Sequence, residues 1–170
     1  MMTTSPVDPP TAARAYASQG WRVVPISPGG KYPKLKGWQD AATDHLPTID
    51  AWYSGTYQGH GVGIATGPDT GLWVLDVDVA NGKRGDDTLA ALEHQHGQLP
   101  PTVTAITGSG GRHYYFTWDN NRPVHNLQNA GSRLGPGLDV RGEGGQVVAP
   151  PTIHGNGTPY AWEIGRSPWE

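Results

Sequence analysis

Two aspartates, Asp76 and Asp78, lie one residue apart inside the apolar stretch GLWVLDVDVANG, residues 71–82. In an extended strand, successive side chains point to opposite faces, so the two carboxylates share one face and the neighbouring aliphatic residues share the other. Like charges at this spacing repel each other unless a cation or several hydrogen-bond donors lie between them. A divalent metal ion meets that requirement, and a solvated sheet face with alternating charges is the alternative.

A second segment, GPGLDVRGEGG, shows the same alternation, because two aliphatic residues alternate with Asp139 and Arg141. Three carboxylates from two strands can hold one or two Mg²⁺ or Mn²⁺ ions, which prefer oxygen ligands and keep coordination positions for water and substrate phosphates. The pattern predicts a metal-dependent site at Asp76, Asp78 and Asp139, again with a solvated charged face as the alternative.

The segment TGSGGRHYYF joins small residues to a basic pair. Ser109, Gly110 and Gly111 predict a loop whose backbone N–H groups face an anion, as in a phosphate cradle. His113 could donate a hydrogen bond to a triphosphate oxygen, whereas Arg112 should point to the opposite strand face. We place all five residues in the predicted nucleotide-binding set, and a hairpin turn followed by a structural histidine is the alternative.

A lysine-rich loop, SPGGKYPKLKGW, precedes these segments. Its lysines give a density of positive charge that suits phosphates, and we assign Lys31 and Lys34 to phosphate binding. A solvated loop is the alternative, because loops collect both functional and merely solubilising residues. The assignment matters only if folding brings the loop to the carboxylates.

The elements that must position these groups are short, since 25 glycines and 16 prolines punctuate the chain. Helices are predicted over PPTAARAYASQG, LPTIDAWY and GDDTLAALEHQHG, the last with Asp86 or Asp87 as N-cap and Gly97 at its end. Strands are predicted over WRVVPI, GVGIATG, the Asp76 segment, TVTAIT, RHYYFTW, GLDVRG, GQVVAPP and TPYAWE. We expect the GVGIATG strand to form a hairpin with the Asp76 strand, and the second half of the chain to be mostly sheet.

Composition limits the classes of protein. A chain of 170 residues suits one domain, which we place at 10–170 after a flexible tail at 1–9. The absence of cysteine excludes a cysteine-based zinc module. No signal-like or membrane-spanning apolar run occurs, so we expect a soluble, cytoplasmic protein without a membrane partner. The net charge of −3 is unlike that of a strongly basic nucleic-acid binder, so nucleic acid would be bound locally.

In their order along the chain, several segments resemble the bifunctional primase-polymerase (prim-pol) domain family of the archaeo-eukaryotic primase superfamily. They are GKYPKLKGW, GVGIATG, LDVDV, LPPTVTAITGSGGRHYYF and GLDVRGEGGQVVAPPTIHGNGTPYAWE, within about residues 10–163. The family carries an acidic pair on a strand, a serine-x-histidine element and a third acidic residue. Here three residues rather than one separate Ser109 from His113, so the match is better at the histidine.

The resemblance implies an α+β fold, with a curved mixed or antiparallel sheet that is related to the RNA-recognition-motif arrangement and carries the acidic site. A smaller α/β unit would pack alongside. It also implies that Asp76, Asp78 and Asp139 hold two Mg²⁺ or Mn²⁺ ions. His113 and Ser109 would contact the triphosphate of the incoming nucleotide, and Arg141 would assist them.

The activity implied by the resemblance is template-dependent nucleotidyl transfer, in which a DNA primase or polymerase starts or extends strands from nucleoside triphosphates. Its partners would be a DNA template and primer, with a fused or associated helicase and a helical priming domain in a plasmid, phage or prophage replication protein. Two alternatives stay open, namely a noncatalytic module that binds single strands or nucleotides, and a metal-dependent nuclease.

Overall fold

The computed structural model describes residues 6–128 and 133–170. Within these ranges the chain forms four helices and eight strands. In chain order they are α1 (Pro9–Ala17), β1 (Val23–Ile26), α2 (Trp38–Ala41), α3 (Leu46–Ser54), β2 (Gly61–Ala65), β3 (Leu72–Val77), α4 (Gly85–His96), β4 (Thr104–Ile106), β5 (Arg112–Thr117), β6 (Leu138–Arg141), β7 (Gln146–Ala149) and β8 (Ala161–Trp162). None of the helices in the described ranges is long and apolar enough to cross a membrane.

The strands form two antiparallel sheets. A three-stranded sheet has the order β1-β2-β7, and a five-stranded sheet has the order β6-β3-β5-β4-β8. The predicted α+β class is therefore confirmed, with antiparallel pairing in both sheets. The four-residue link from β6 to β7 carries the chain from the larger sheet to the smaller one, so the two sheets meet close to Asp139.

Helix α1 begins at Pro9, the first residue of the predicted segment PPTAARAYASQG. The Asp8 carboxylate accepts a hydrogen bond from the Thr11 N–H at 2.8 Å and caps the helix, while Pro9 supplies a preset backbone angle in the first turn. Ala13 and Tyr16 are buried against the three-stranded sheet. Part of the predicted tail, residues 1–5, lies outside the described residues, and the rest of it includes this cap.

Strand β3 has one apolar and one polar face. Leu75 and Val77 pack with Leu138 and Val140 of β6 in a cluster that helix α4 covers with its leucines. Asp76 lies on the other face, as the alternation of side chains predicts. Helix α4 thus covers part of the apolar back of the acidic strand and leaves its polar front open.

Helix α4 begins at Gly85, with Arg84 at the N-cap position, so the prediction of Asp86 or Asp87 as the cap is wrong. Both aspartates lie in the first turn, where their charges interact favourably with the positive end of the helix dipole. The helix ends at His96 before Gly97, as predicted.

The predicted hairpin between the GVGIATG strand and the Asp76 strand is also wrong. Strand β2 pairs with β1 and β7, and only an isolated bridge between Gly67 and Leu72 connects it to the start of β3. All five residues of β2 are buried, so its backbone N–H and C=O groups lack water and are paired with β1 on one edge and β7 on the other. At its end, the Thr66 N–H donates to the Gly145 carbonyl at 2.9 Å and keeps the chain on the smaller sheet.

Candidate active site

Three predicted site residues lie in one row across the larger sheet. Asp76 on the central strand β3 is directly opposite Asp139 on β6 and directly opposite His113 on β5. Directly opposite residues of antiparallel strands point to the same face, so the row Asp139, Asp76 and His113 presents its side chains together. The sheet register alone thus assembles the core of the site.

Asp76 is held by two basic side chains. The Nε2 atom of His113 lies 3.4 Å from its Oδ1, and Arg141 Nη2 donates to its Oδ2 at 3.3 Å and to Asp139 Oδ2 at 3.2 Å. Burial alone would raise the pKa of Asp76, but the charge and hydrogen bond of His113, and then those of Arg141, outweigh it and lower the pKa to about 2. Asp76 is therefore ionised at neutral pH.

Asp78 lies just past the end of β3, and close backbone contacts fix its position. Its N–H donates to the Gly137 carbonyl at 2.8 Å, and its carbonyl accepts from the Gly85 N–H at 3.0 Å. A Cβ on Gly85 would lie 2.4 Å from the Gly137 carbonyl oxygen, so the close approach of these segments requires glycine there. The two segments thereby clamp the backbone of Asp78.

The carboxylate of Asp78 is also occupied. It accepts a hydrogen bond from the Ala80 N–H at 2.9 Å and one from Lys83 Nζ at 2.8 Å. The hydrogen bond to Asp78 is the main reason that the pKa of Lys83 is raised. Sequence reasoning missed Lys83, and the one available signal was its position in the polar turn that follows the acidic strand.

The turn between β4 and β5 does not support the predicted anion cradle. The Gly110 N–H donates to the Thr107 carbonyl and the Gly111 N–H donates to the Thr107 hydroxyl, both at 2.9 Å. A Cβ on Gly111 would lie 2.2 Å from the Val77 carbonyl oxygen, so this glycine permits close packing against β3. Ser109 differs from the two glycines, because it lines the cleft that contains the acidic row.

The other predicted basic residues separate into two groups. Lys31 lines the cleft, and its carbonyl accepts a hydrogen bond from Gln146 Nε2 at 2.8 Å. Lys34 is exposed and does not line the cleft. Arg112 lies on the opposite strand face, where its Nε is 3.3 Å from Glu163 Oε1. The structure therefore brings Lys31, but neither Lys34 nor Arg112, to the carboxylates.

The cleft has a volume of about 210 Å³ and is open to solvent at the junction of the two sheets. It contains Asp76, Asp78, Asp139, His113, Arg141, Ser109 and Lys31 from the predicted set. Sequence reasoning missed further polar and aromatic residues that line it, namely Tyr32, Lys83, Thr107, Gln128, Gln146 and Tyr160. Carboxylates and cations thus face each other across one small space.

The donor chemistry of the cleft fits a hard divalent cation, because Asp76, Asp78 and Asp139 all supply carboxylate oxygens. In residues 6–128 and 133–170, no group of three or more acidic, histidine or cysteine side chains is gathered closely enough to hold an ion as it stands. Arg141 and Lys83 lie against the same oxygens instead. Metal binding at these carboxylates would therefore require both cations to release their contacts.

An α+β fold with an acidic row beside cationic side chains defines a class of site that suits an anionic substrate and a divalent ion. A family model described as "Bifunctional DNA primase/polymerase, N-terminal" matches residues 13–170, and the chain belongs to this prim-pol family. The match supports a DNA primase or polymerase of the nucleotidyltransferase type that takes part in DNA replication. A search of curated proteins found no significant match to the chain.

Proposed function

We propose that this chain catalyses template-dependent transfer of nucleotides to a DNA strand, either extending a primer or starting a strand, with release of pyrophosphate. The observation that carries the proposal is the row of Asp139, Asp76 and His113 in direct register, which faces the same cleft as Lys31 and Lys83. Opposite charges on one cleft suit a reaction between a nucleoside triphosphate and a strand end. The family membership supports the same chemistry.

In this proposal Asp76, Asp78 and Asp139 hold two Mg²⁺ or Mn²⁺ ions. When bound, such ions lower the pKa of a primer 3′-hydroxyl and neutralise the charge that builds up on the triphosphate. An aspartate has to be ionised for this role, and the low pKa of Asp76 meets that condition for this residue at neutral pH. Catalysis then consists mainly of positioning and charge neutralisation.

The basic residues of the cleft bind the triphosphate in this proposal. Lys31 is exposed and the Lys83 side chain is 54% exposed, so their ammonium groups can follow a flexible polyanion. His113 is buried, and its Nε2 lies against Asp76, so it positions that carboxylate as well as bordering the substrate. Ser109 adds a hydroxyl to the same wall of the cleft.

A primer-extension assay with Mg²⁺ or Mn²⁺ tests the proposal. The wild-type chain should lengthen a labelled primer on its template. Asp76→Asn should slow extension by at least about a hundred-fold, because it removes the charge of one proposed metal ligand. A hundred-fold loss of rate corresponds to about 3 kcal/mol in the activation barrier. Asp69→Asn is the matched control, because Asp69 is an exposed carboxylate that pairs with Arg22 outside the cleft. The control should extend normally.

The same assay separates the alternatives. Shortening of the primer instead of extension would assign the carboxylates to a nuclease. Binding of single strands without any metal-dependent incorporation would assign the fold to a noncatalytic module. Normal extension by Asp76→Asn would contradict the proposed role of the acidic row.

The biological setting is part of the proposal. We infer from the family resemblance that the domain acts within plasmid, phage or prophage replication, beside a fused or associated helicase and a helical priming segment. Extension without an added primer, tested on a bare single-stranded template, would show whether this chain starts strands by itself.

A further inference from the structure

Tyr32 exposes its ring at the edge of the cleft. Its side chain is among the large hydrophobic groups that the structure leaves exposed, with a relative exposure of 76%, and it lines the cleft together with Lys31. In the described part of the chain, Tyr32 is the one aromatic residue among those exposed groups. An exposed aromatic ring beside a polyanion site is a candidate for contact with a ligand.

The backbone under this ring is fixed. The Tyr32 carbonyl accepts hydrogen bonds from the Ser27 N–H at 3.3 Å and from the Ser27 hydroxyl at 3.1 Å. Next to it, the Lys31 carbonyl accepts from Gln146 Nε2 of β7, and Pro33 forms a bridge with Ile26 of β1. The loop is therefore tied to two strands of the smaller sheet while its side chains stay free, and a fixed backbone lowers the cost of ordering on binding.

The neighbours of Tyr32 define the chemistry of the ligand. Lys31 is the adjacent residue, and Lys83 lines the same cleft, so positive charge lies beside a flat apolar ring. A nucleotide combines a planar base with a polyanion and matches both features. A ring without a specific hydrogen-bonding pattern accepts any base, because every base has a π-face.

We propose that Tyr32 is the stacking surface for the base of the incoming nucleoside triphosphate, while Lys31 contacts its phosphates. This inference rests on the proposed function, and it assigns a base-binding position that the carboxylates and basic residues do not provide. Because stacking does not read base edges, selection among the four bases is left to the template.

Calorimetric binding of each of the four deoxynucleoside triphosphates and of inorganic tripolyphosphate, with Mn²⁺ and without DNA, tests this inference. Tyr32→Ala should weaken binding of all four nucleotides by roughly five-fold to a hundred-fold, which is the range for loss of one aromatic stack. It should leave tripolyphosphate binding unchanged, since that ligand has no base. Tyr32→Phe should retain nucleotide affinity.

Lys31→Ala provides the contrast, because it should weaken nucleotide and tripolyphosphate binding alike, whereas Lys36→Ala, outside the cleft, should change neither. Unchanged nucleotide affinity in Tyr32→Ala would overturn the inference, as would an equal loss for tripolyphosphate. An effect of Tyr32→Ala confined to binding of primed DNA would also overturn it. If the wild-type chain extends primers in any of these cases, the proposed function stands and only the role of Tyr32 fails.

Discussion

Replacement of Arg141 by methionine should make the acidic row destabilise the folded state. Arg141 Nη2 donates to both Asp76 and Asp139, and these two aspartates are directly opposite each other on β3 and β6. In Arg141→Met the hydrophobic stem is largely kept and the shared cation is lost. Two carboxylates then face each other, with His113 still against Asp76 and the Lys83 ammonium group in the same cleft.

The size of the effect follows from the geometry. Opposite positions of antiparallel strands have Cβ atoms about 5 Å apart, and two like unit charges at about 5 Å repel by about 3 kcal/mol at an effective dielectric constant of about 20. Burial alone would raise the pKa of Asp76, and His113, then Arg141, lower it from 3.8 to about 2, so Arg141 supplies the smaller part of the lowering. We expect Arg141→Met to lose about 2 kcal/mol of unfolding free energy at pH 7.

The loss should depend on pH and on metal. Since the folded pKa of Asp76 lies below its ordinary value, this carboxylate stabilises the wild type above about pH 4, and the contribution disappears as the pH falls through about 2. Without Arg141 the pKa of Asp76 rises, so the variant takes up a proton at a higher pH than the wild type does, and protonation relieves the repulsion. The deficit of the variant should therefore be largest at neutral pH and smaller near pH 4, and Mn²⁺ should reduce it at pH 7.

Urea denaturation followed by the fluorescence of the chain's seven tryptophans, at pH 7 and pH 4 with and without Mn²⁺, measures this. Arg22→Met is the control, because Arg22 forms a more exposed pair with Asp69 at 3.0 Å and should cost less than about 1 kcal/mol. An equal loss for Arg141→Met at both pH values, insensitive to Mn²⁺, would refute the electrostatic reasoning and leave only lost packing.

Alternation along single strands made the acidic row predictable in part. The period of two places Asp76 and Asp78 on one face and Asp139 on the polar face of a second strand, and the structure brings all three to one cleft. The register that puts Asp76 opposite both Asp139 and His113 could not be predicted from the sequence, because pairing between distant segments depends on the whole sheet and its turns.

Nearness in sequence predicts the wrong partner for β2. A hairpin between consecutive strands is the simplest connection, but β2 is buried along its whole length and pairs on both sides in the smaller sheet. Its run of small and aliphatic residues, GVGIA, contains no polar alternation, which is typical of a central strand. The absence of alternation was therefore a usable signal, and it outweighs sequence proximity.

Hydrogen bonds within the glycine-rich turn occupy the N–H groups that the sequence left free. The Gly110 N–H donates to the backbone carbonyl of Thr107 and the Gly111 N–H donates to the Thr107 hydroxyl. Lys83 shows the reverse case, since a lysine in an ordinary polar turn becomes part of the site once the turn folds back on Asp78. Both outcomes depend on the conformation of a loop, which composition does not specify.

Two further substitutions test the basic neighbours of the carboxylates. His113→Gln should raise the pKa of Asp76 from about 2 and weaken nucleotide binding several-fold, which NMR titration of the carboxyl group and calorimetry would measure; an unmoved pKa would contradict the contact. Lys83→Met should increase Mn²⁺ affinity about two- to five-fold in the absence of nucleotide, because the ammonium group 2.8 Å from Asp78 Oδ2 competes with a metal ion for the same oxygen. Lys36→Met carries the same loss of charge outside the cleft, so an equal gain there would show a general effect of net charge rather than competition at Asp78.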